Sequence, residues 1–295
     1  MELFDRVAIV GTGLIGGSMG MAMRNRGLAG HVLGIGRRRV SIDKAMEVGA
    51  CDQVTLDLEA GVGEADLVVV ATPIRAFQHL MPRIGPAMKD GAIVSDVASS
   101  KCSVIETFQE SLTGRDNVAY VPTHPMAGSE ETGPAAAVEE LFEGSICIFT
   151  PLEETRGDDV DVMESLWREL GASIRTMSPD EHDRLVARVS HVPHLAAAAL
   201  VAGVDSESLF FSGGGFIDTT RVASSDTDLW SDIYESNSKE VCVGLDDYID
   251  LLERMKQLVA SGGWDELAEI LDEAREKRDE LLEKRADFQR NRESC

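Results

Sequence analysis

The sequence predicts an α/β domain built on a doubly wound parallel sheet, followed by an all-α domain. Three observations carry this reading. Short β-branched runs alternate with helix-like stretches through the first 178 residues. A glycine-rich segment follows the first of those runs directly. After Ser178 every long segment has helical spacing. The expected domains are therefore 1–178 and 179–295.

The elements follow in order. RVAIV (6–10) is apolar, β-branched and ended by glycine, which reads as a buried strand. HVLGIG (31–36) and DLVVVATP (66–73) read as the second and third strands, the latter ended by a proline that cannot continue a central strand. AIVSDVAS (92–99), VAYVPTHP (118–125), ICIFTP (146–151) and ASIRTMS (172–178) follow. Residues 16–28, 76–88 and 160–170 have helical spacing. The alternation predicts parallel pairing throughout. Residues 179–203 read as one long helix, with Pro179 and Asp180 in its first turn, a kink at Pro193 and a stop at Gly203. A further helix ends at Gly262 and Gly263. The segment 264–292 is charged and amphipathic, with Leu267, Ala274, Leu281 and Phe288 at heptad spacing. Arg278 and Arg285 occupy the companion seam and argue against a true coiled coil.

Charge narrows the partners. Against 52 Asp and Glu stand only 28 Lys and Arg, a net −24, which disfavours nucleic acid and anionic lipid as partners. The chain enters its first strand at once, without a basic and apolar leader, and the apolar stretch near 195–204 is too short to span a bilayer. A cytoplasmic protein without membrane association is expected. Cys51, Cys102, Cys147, Cys242 and Cys295 are odd in number and lack CxxC spacing, as expected of reduced thiols.

GTGLIGG (11–17) sits where a strand gives way to a helix. Gly11 allows the tight turn, Gly13 lets a pyrophosphate approach the backbone, and Gly16 lets helix and strand pack closely. Leu14 and Ile15 open the helix whose N-terminus would face the phosphates. This is the fingerprint of a Rossmann-type dinucleotide-binding domain. Thr72 and Pro73, at the end of the third strand, belong to the same ligand edge. Where an NAD site usually places an acid on the ribose, this chain has Gly36 followed by Arg37, Arg38 and Arg39. Guanidinium groups there suit a 2′-phosphate, so NADP is favoured over NAD.

The other candidates fall on the same edge or in the helical part. His124, flanked by prolines in PTHPMAGSE (122–130), ends a strand and is suited to proton abstraction. Ser99 in DVASSK (96–101) is placed to bind a substrate hydroxyl beside His124, or to cap the next helix, or both. Ser190 and His194 in SHVPH lie at i,i+4 on one helix face, whereas His191 faces elsewhere and reads as structural. His182, His191 and His194 lack metal-ligand spacing and no carboxylate completes a set, so no metal is expected. GGGFIDTTR (213–221) reads as a glycine-rich turn that presents Arg221 as a clamp for a carboxylate, with Asp218 as its alternative partner. Trp230 walls the pocket or fills core.

Together, GTGLIGGS, DVASSK, THPMAGSE, HDxxxAxxSHxPH and GGGFxDTTRxA, in this order and spacing over roughly residues 5–250, resemble the prephenate/arogenate dehydrogenase family of tyrosine biosynthesis. The resemblance implies a Rossmann-type domain and a helical domain that forms a homodimer. It implies oxidation of a cyclohexadienol, with hydride passing to NAD(P) while the ring loses CO2 and becomes aromatic. His124 then takes the hydroxyl proton and Ser99 shares that hydrogen bond. Ser190, His194, Gly214, Arg221 and Trp230 line the substrate site, with Glu130 and Asp218 as charged neighbours that hold Arg221 before substrate arrives. Ala98 stands where the family often has glycine, which narrows the nicotinamide side. No chorismate mutase segment precedes residue 5 and only helices follow 260, so inhibition by tyrosine is expected to act at or near the active site.

Prephenate is the favoured substrate on family frequency, and arogenate the alternative. Other readings remain. A β-hydroxyacid dehydrogenase would rely on a lysine from the interdomain helix, and no lysine lies between Lys101 and Lys239. A non-catalytic NADP-binding redox sensor would not need His124, Ser99, Ser190, His194 and Arg221 together. A helical dimerisation module with a vestigial nucleotide domain would not keep the glycine loop.

Overall fold

The computed structural model describes residues 2–129 and 131–293, with side chains described as far as Lys284. Glu130, Cys295 and the side chains of Arg285 and Phe288 therefore lie outside the described residues.

The first half alternates as expected: β1 (Phe4–Val10), α1 (Leu14–Asn25), β2 (Ala29–Ile35), α2 (Arg39–Glu47), β3 (Gln53–Thr55), α3 (Leu58–Val62), β4 (Leu67–Val70), α4 (Phe77–Ala87), β5 (Ile93–Asp96), α5 (Cys102–Ser111) and β6 (Ala119–Pro125). Then come β7 (Ile146–Phe149), α6 (Gly157–Glu169) and β8 (Ser173–Thr176). The sheet order is β3-β2-β1-β4-β5-β6-β7-β8. Chain direction away from β1 reverses between β2 and β4, which opens a crevice at the carboxyl ends of the strands. β3 was not anticipated, because three residues carry too little pattern to read.

The sheet is covered on both sides, which is why its central strands β1 and β4 carry continuous buried apolar runs, Val7–Val10 and Leu67–Val70, rather than alternating with polar residues. Val7 and Ile9 of β1 pack with Met19 and Met23 of α1 and with Trp167 of α6 in one core layer. Ala8 and Val10 pack with Met81 of α4 and Phe108 of α5 in the other. The period-2 alternation of the strand puts consecutive residues into opposite layers.

One expectation fails here. β6 and β7 pair antiparallel, with His124 opposite Ile148. The chain leaves β6 at Pro125 and passes through only a short 3₁₀ turn (Pro134–Ala136) before Ile146. A parallel return would have to carry the chain back to the other end of the sheet, usually through an α-helix, and the described residues of this connection form no α-helix. After α6, β8 is parallel to β7.

Beyond the sheet the predicted long helix has three parts. α7 (Pro179–Val186) and α8 (Val192–Ala202) are joined by a π-helical turn over Ala187–His191. The turn explains the expected kink: Pro193 has no N–H for the preceding turn and its ring crowds the carbonyl of Val189, and the wider turn relieves both. The run Pro179–Ala202, with a mean hydropathy of 1.4 over its most apolar window, is long and apolar enough to cross a membrane. The shorter stretch weighed in the sequence did not reach that length. His182, Asp183, His191 and His194 are nonetheless buried along it, and most are held there by hydrogen bonds described below.

α9 (Ser206–Leu209), α10 (Gly214–Thr220) and α11 (Thr227–Ser236) follow. The glycine-rich segment expected as a turn thus starts a helix at Gly214, with Gly213 at its cap position. α12 (Ser238–Ser261) ends at Gly262, whose φ of 75° is the left-handed stop expected there. α13 (Trp264–Glu293) is the charged helix, with the pairs Lys277–Glu273 and Lys284–Glu280 along it. By contact density the chain forms two compact units, 1–238 and 239–295.

The glycine loop can be tested by packing alone. A Cβ on Gly16 would lie 2.1 Å from the Gly11 carbonyl oxygen, whereas one on Gly13 meets nothing within 4 Å. Gly16→Ala is expected to cost about 1–3 kcal/mol through overpacking and to lower the thermal midpoint by several degrees. Gly13→Ala should leave it within about one degree, since no contact is altered. Equal midpoints in a thermal melt of the two variants would contradict this packing.

Candidate active site

The site gathers at the carboxyl ends of β1, β4, β5 and β6. Gly11 lies at φ 100°, against the Ala71 carbonyl and the Thr72 side chain. Only glycine takes up that conformation without strain. Gly13 precedes α1 with open space over its Cα. Leu14 and Ile15 form the first turn of α1, which holds no acidic residue and has no side-chain cap. Its free backbone N–H groups thus face the crevice. The Thr72 hydroxyl, buried on the same edge, has no partner among the described residues. A dinucleotide fits this cradle: open backbone for its pyrophosphate and an unmet hydroxyl beside it.

Gly36 follows β2 directly and is itself followed by arginine rather than an acid, and a Cβ there would lie 2.6 Å from Ile42. Arg39 pairs with Asp43 at 2.9 Å. Arg37 and Arg38 make no ion pair among the described residues.

His124 lies near the end of β6 and is 8% exposed. Its Nδ1 meets His182 Nε2 at 2.8 Å, and His182 Nδ1 meets Asp183 Oδ1 at 2.8 Å. Asp183 accepts the backbone N–H groups of Lys101 at 2.7 Å and Cys102 at 2.9 Å. Its own carbonyl accepts from the Asn237 side chain at 2.8 Å. Asn237 in turn contacts His191 Nδ1 at 3.3 Å. Beneath them Lys101 is fully buried, paired with Asp96 and donating to the Thr123 carbonyl at 2.7 Å. Tyr120 completes this floor, its hydroxyl donating to Asp96 Oδ2 at 2.7 Å.

Burial, then the charges of His182, Lys101 and His191, hold His124 well below the usual histidine range. It is therefore neutral at pH 7, as a base must be. Burial also lowers His182, against the pull of Asp183, and lowers His191 to about 4. Burial raises Asp183, but the hydrogen bonds from His182, Cys102 and Lys101 outweigh it and leave the carboxyl below its usual range.

The helical residues form an adjoining cluster. His194 stacks on Trp230 with ring centroids 3.6 Å apart, and its Nδ1 meets the Tyr234 hydroxyl at 2.5 Å. Trp230 also meets His191 edge-on at 6.1 Å. Burial lowers His194, opposed by the Val222 backbone. Arg221 is exposed and opens the 3₁₀ turn Arg221–Ser224, which packs against α8. Ser190 is half-buried in the π-helical turn and Gly214 is exposed at the start of α10.

Several expectations are revised. Ser99 is half-buried and does not cap α5, which removes the cap alternative. The free N–H groups at that helix start are taken by Asp183, more than 80 residues away. Asp218 makes no ion pair with Arg221 among the described residues, and the partnership proposed for Glu130 falls outside them. His182, weighed in the sequence only as a metal ligand, is the direct partner of His124. The signal for it was the dipeptide His182-Asp183 at the start of a helix, which spacing alone does not connect to a strand end 58 residues earlier.

A glycine cradle at the sheet's switch point, beside a neutral buried histidine and a helical second region, defines a nicotinamide-dependent oxidoreductase. The family models agree. "Prephenate dehydrogenase, nucleotide-binding domain" matches residues 19–176, and "Prephenate dehydrogenase, dimerization domain" matches 178–273. The cyclohexadienyl dehydrogenase of Zymomonas mobilis is 35% identical over 94% of this chain and 96% of its own. The prephenate dehydrogenase of A. aeolicus, solved with hydroxyphenyl propionate and NAD+, is 31% identical over 94% of this chain and 98% of its own, with a TM-score of 0.87. The arogenate dehydrogenase of Synechocystis is 29% identical over 94% and 99%, with a TM-score of 0.80. The chain belongs to the prephenate dehydrogenase family.

The buried histidines set a pH dependence of stability. A folded pKa below the unfolded value means that stability is fully present above about pH 6.5 and lost as the pH falls. For His191, whose folded value is about 4, that shift is worth about 3 kcal/mol. Thermal midpoints should be flat from pH 8 to 7 and fall steadily from 6.5 to 4. His191→Gln should flatten that fall by close to one proton, and unchanged steepness would refute the assignment.

Proposed function

We propose that this protein oxidises and decarboxylates prephenate to 4-hydroxyphenylpyruvate, in the cytoplasm, as a homodimer, with NADP as the preferred hydride acceptor. The observation that carries the reading is His124: neutral, at a strand end, with Nδ1 engaged and Nε2 without a partner among the described residues. Nε2 takes the carbinol proton. NADP, held at the Gly11–Ile15 turn with Arg37 and Arg38 beside its ribose, would supply the acceptor for the hydride of the carbinol C–H bond. The ring carboxylate leaves as CO2, its electron pair moves through the ring to oxygen, and the proton returns from Nε2 to give the phenol. Ser99, on the neighbouring strand end, binds the same oxygen. Arg221 meets a substrate carboxylate. Ser190, His194, Trp230 and the backbone at Gly214 bound the pocket.

The preference for NADP rests on Gly36, Arg37 and Arg38. The homodimer is supported by the match to a dimerisation domain and by apolar side chains left exposed, Phe210 at 86% and Phe211 at 80% above all. Arogenate is the second reading, favoured by the likeness to the Synechocystis enzyme.

Nucleotide reduction at 340 nm with prephenate or arogenate, each with NAD or NADP, tests the reaction. Turnover is expected with prephenate and NADP, and His124→Asn should reduce kcat by at least a hundredfold, within the range for a lost general base. Turnover of neither substrate with either nucleotide would refute the reading. Turnover of arogenate alone would decide for the second one. Replacing Arg37 and Arg38 together by alanine should raise the KM for NADP about tenfold or more and leave that for NAD within about twofold. Equal effects on both nucleotides would remove the case for NADP.

A further inference from the structure

We propose that His182 and Asp183 are positioning residues that lock His124 in the one tautomer able to act as a base. The inference rests on His124 being that base, and it concerns what stands behind it.

The argument runs along the hydrogen bonds. The Asp183 carboxylate can only accept. Both its oxygens already face backbone donors, Lys101 N–H on Oδ1 and Cys102 N–H on Oδ2, at the start of α5. These hold it ionised and fixed. The contact at 2.8 Å between Asp183 Oδ1 and His182 Nδ1 therefore needs the proton on Nδ1. A neutral His182 then has a bare Nε2, which can only accept. The next contact, 2.8 Å to His124 Nδ1, thus needs the proton on His124 Nδ1. That leaves His124 Nε2 bare, with its lone pair free for a substrate hydroxyl. Each link forces the next, and the direction is set by the carboxylate at the far end. The role of such a carboxylate, which orients an imidazole and stabilises its cation without taking the proton, is familiar from hydrolytic triads. Here a second imidazole lies between them.

Without Asp183, His182 can hold its proton on either nitrogen. With the proton on Nε2 it donates to His124 Nδ1 and forces the His124 proton onto Nε2, where it blocks proton abstraction. The alternatives are close in energy unless something breaks the tie, and burial prevents water from doing so: His182 is 0% exposed and Asp183 is 2% exposed. The charged and titratable groups that face this chain are Asp96 on β5, Lys101 before α5, Cys102 in α5, Cys147 on β7 and His191 on the π-helical turn. None of these hydrogen-bonds to His182 among the described residues, and the one carboxylate that does is Asp183.

The tautomer can be read directly. In uniformly ¹⁵N-labelled ligand-free protein at pH 7.5, long-range ¹H–¹⁵N correlation should show His124 and His182 both protonated at Nδ1, assigned by His124→Asn and His182→Gln. His124 protonated at Nε2 in the wild type would overturn the proposal, whether or not any variant is active. In turnover, His182→Phe, which cannot accept a hydrogen bond, should lower kcat by about a hundredfold with the nucleotide KM unchanged. His182→Gln, whose side-chain oxygen reaches the position of Nε2 and accepts, should recover at least about tenfold of that loss. Asp183→Asn, without the negative charge that favours the imidazolium, should lower kcat and move the acid limb of its pH profile to lower pH. Equal kcat in His182→Phe and His182→Gln, or an unmoved acid limb, would assign the pair a structural role only. A failure of the functional reading is distinct from these: the wild type would then reduce no nucleotide with either substrate.

Discussion

The carboxylate of Asp183 is the point on which the site depends. It sits in the first half of the helical region, yet it accepts the backbone N–H groups of Lys101 and Cys102 at the start of α5. That helix has no side-chain cap of its own and no acid in its first turn. A helix start leaves N–H groups unmet, and burying them without partners is expensive. The need is met by a residue on α7, so the sheet and the first helix after it are joined at the carboxyl edge of β5. The adjacent residue, His182, is thereby delivered against His124. One dipeptide thus meets the backbone donors of α5 and supplies the hydrogen-bond partner of His124.

Below that dipeptide lies a second constraint. Lys101 is fully buried with Asp96, and Thr123, Tyr120 and the Ala98 backbone complete their hydrogen bonds. Such a pair adds little net stability, since desolvation offsets much of the attraction. Removing one partner is costly, about 3–5 kcal/mol. Its contribution is geometric: it ties the ends of β5 and β6 together, which are the strand ends that carry Ser99 and His124. Its charge also acts upward, because Lys101 helps keep His124 neutral. The floor thus helps set both the position and the protonation state of His124.

Much of this fold was legible in the sequence because buried parallel strands carry a strong signal. β1, β4 and the strand that ends at His124 are nearly continuous apolar or β-branched runs, each closed by glycine or proline. The glycine loop could be read residue by residue, since Gly11 and Gly16 do meet the backbone as the fingerprint requires. Three features were not legible. β3 is too short, the antiparallel β7 depends on the path of a loop without periodic pattern, and the GGGF segment favours a turn locally but is carried into a helix by its neighbours. The site residues divide the same way. His124 was marked by its prolines and its strand. Its contact with His182 depends on how α7 packs against β6, and no spacing rule relates elements so far apart in the chain. For Ser99 only the cap alternative fails: the N–H groups at the start of α5 are met by Asp183, far away in the chain.

The distribution of charge at helix starts shows how a chain with a net charge of −24 can serve anionic ligands. At physiological salt, charges more than about 8 Å away are largely screened, so what matters is the charge within the site. α6 carries Asp158 and Asp159 in its first turn, α7 carries Asp180 and Glu181, and α5 is occupied by Asp183. Each has its positive end neutralised by the protein. α1 carries no acid there and no cap, only Gly13 with open space above it. At the next strand end stand Arg37 and Arg38 rather than an acid. The start of α1 is thus free of the acidity carried elsewhere, and that, more than any excess of basic residues, makes the crevice suitable for a phosphate-bearing ligand.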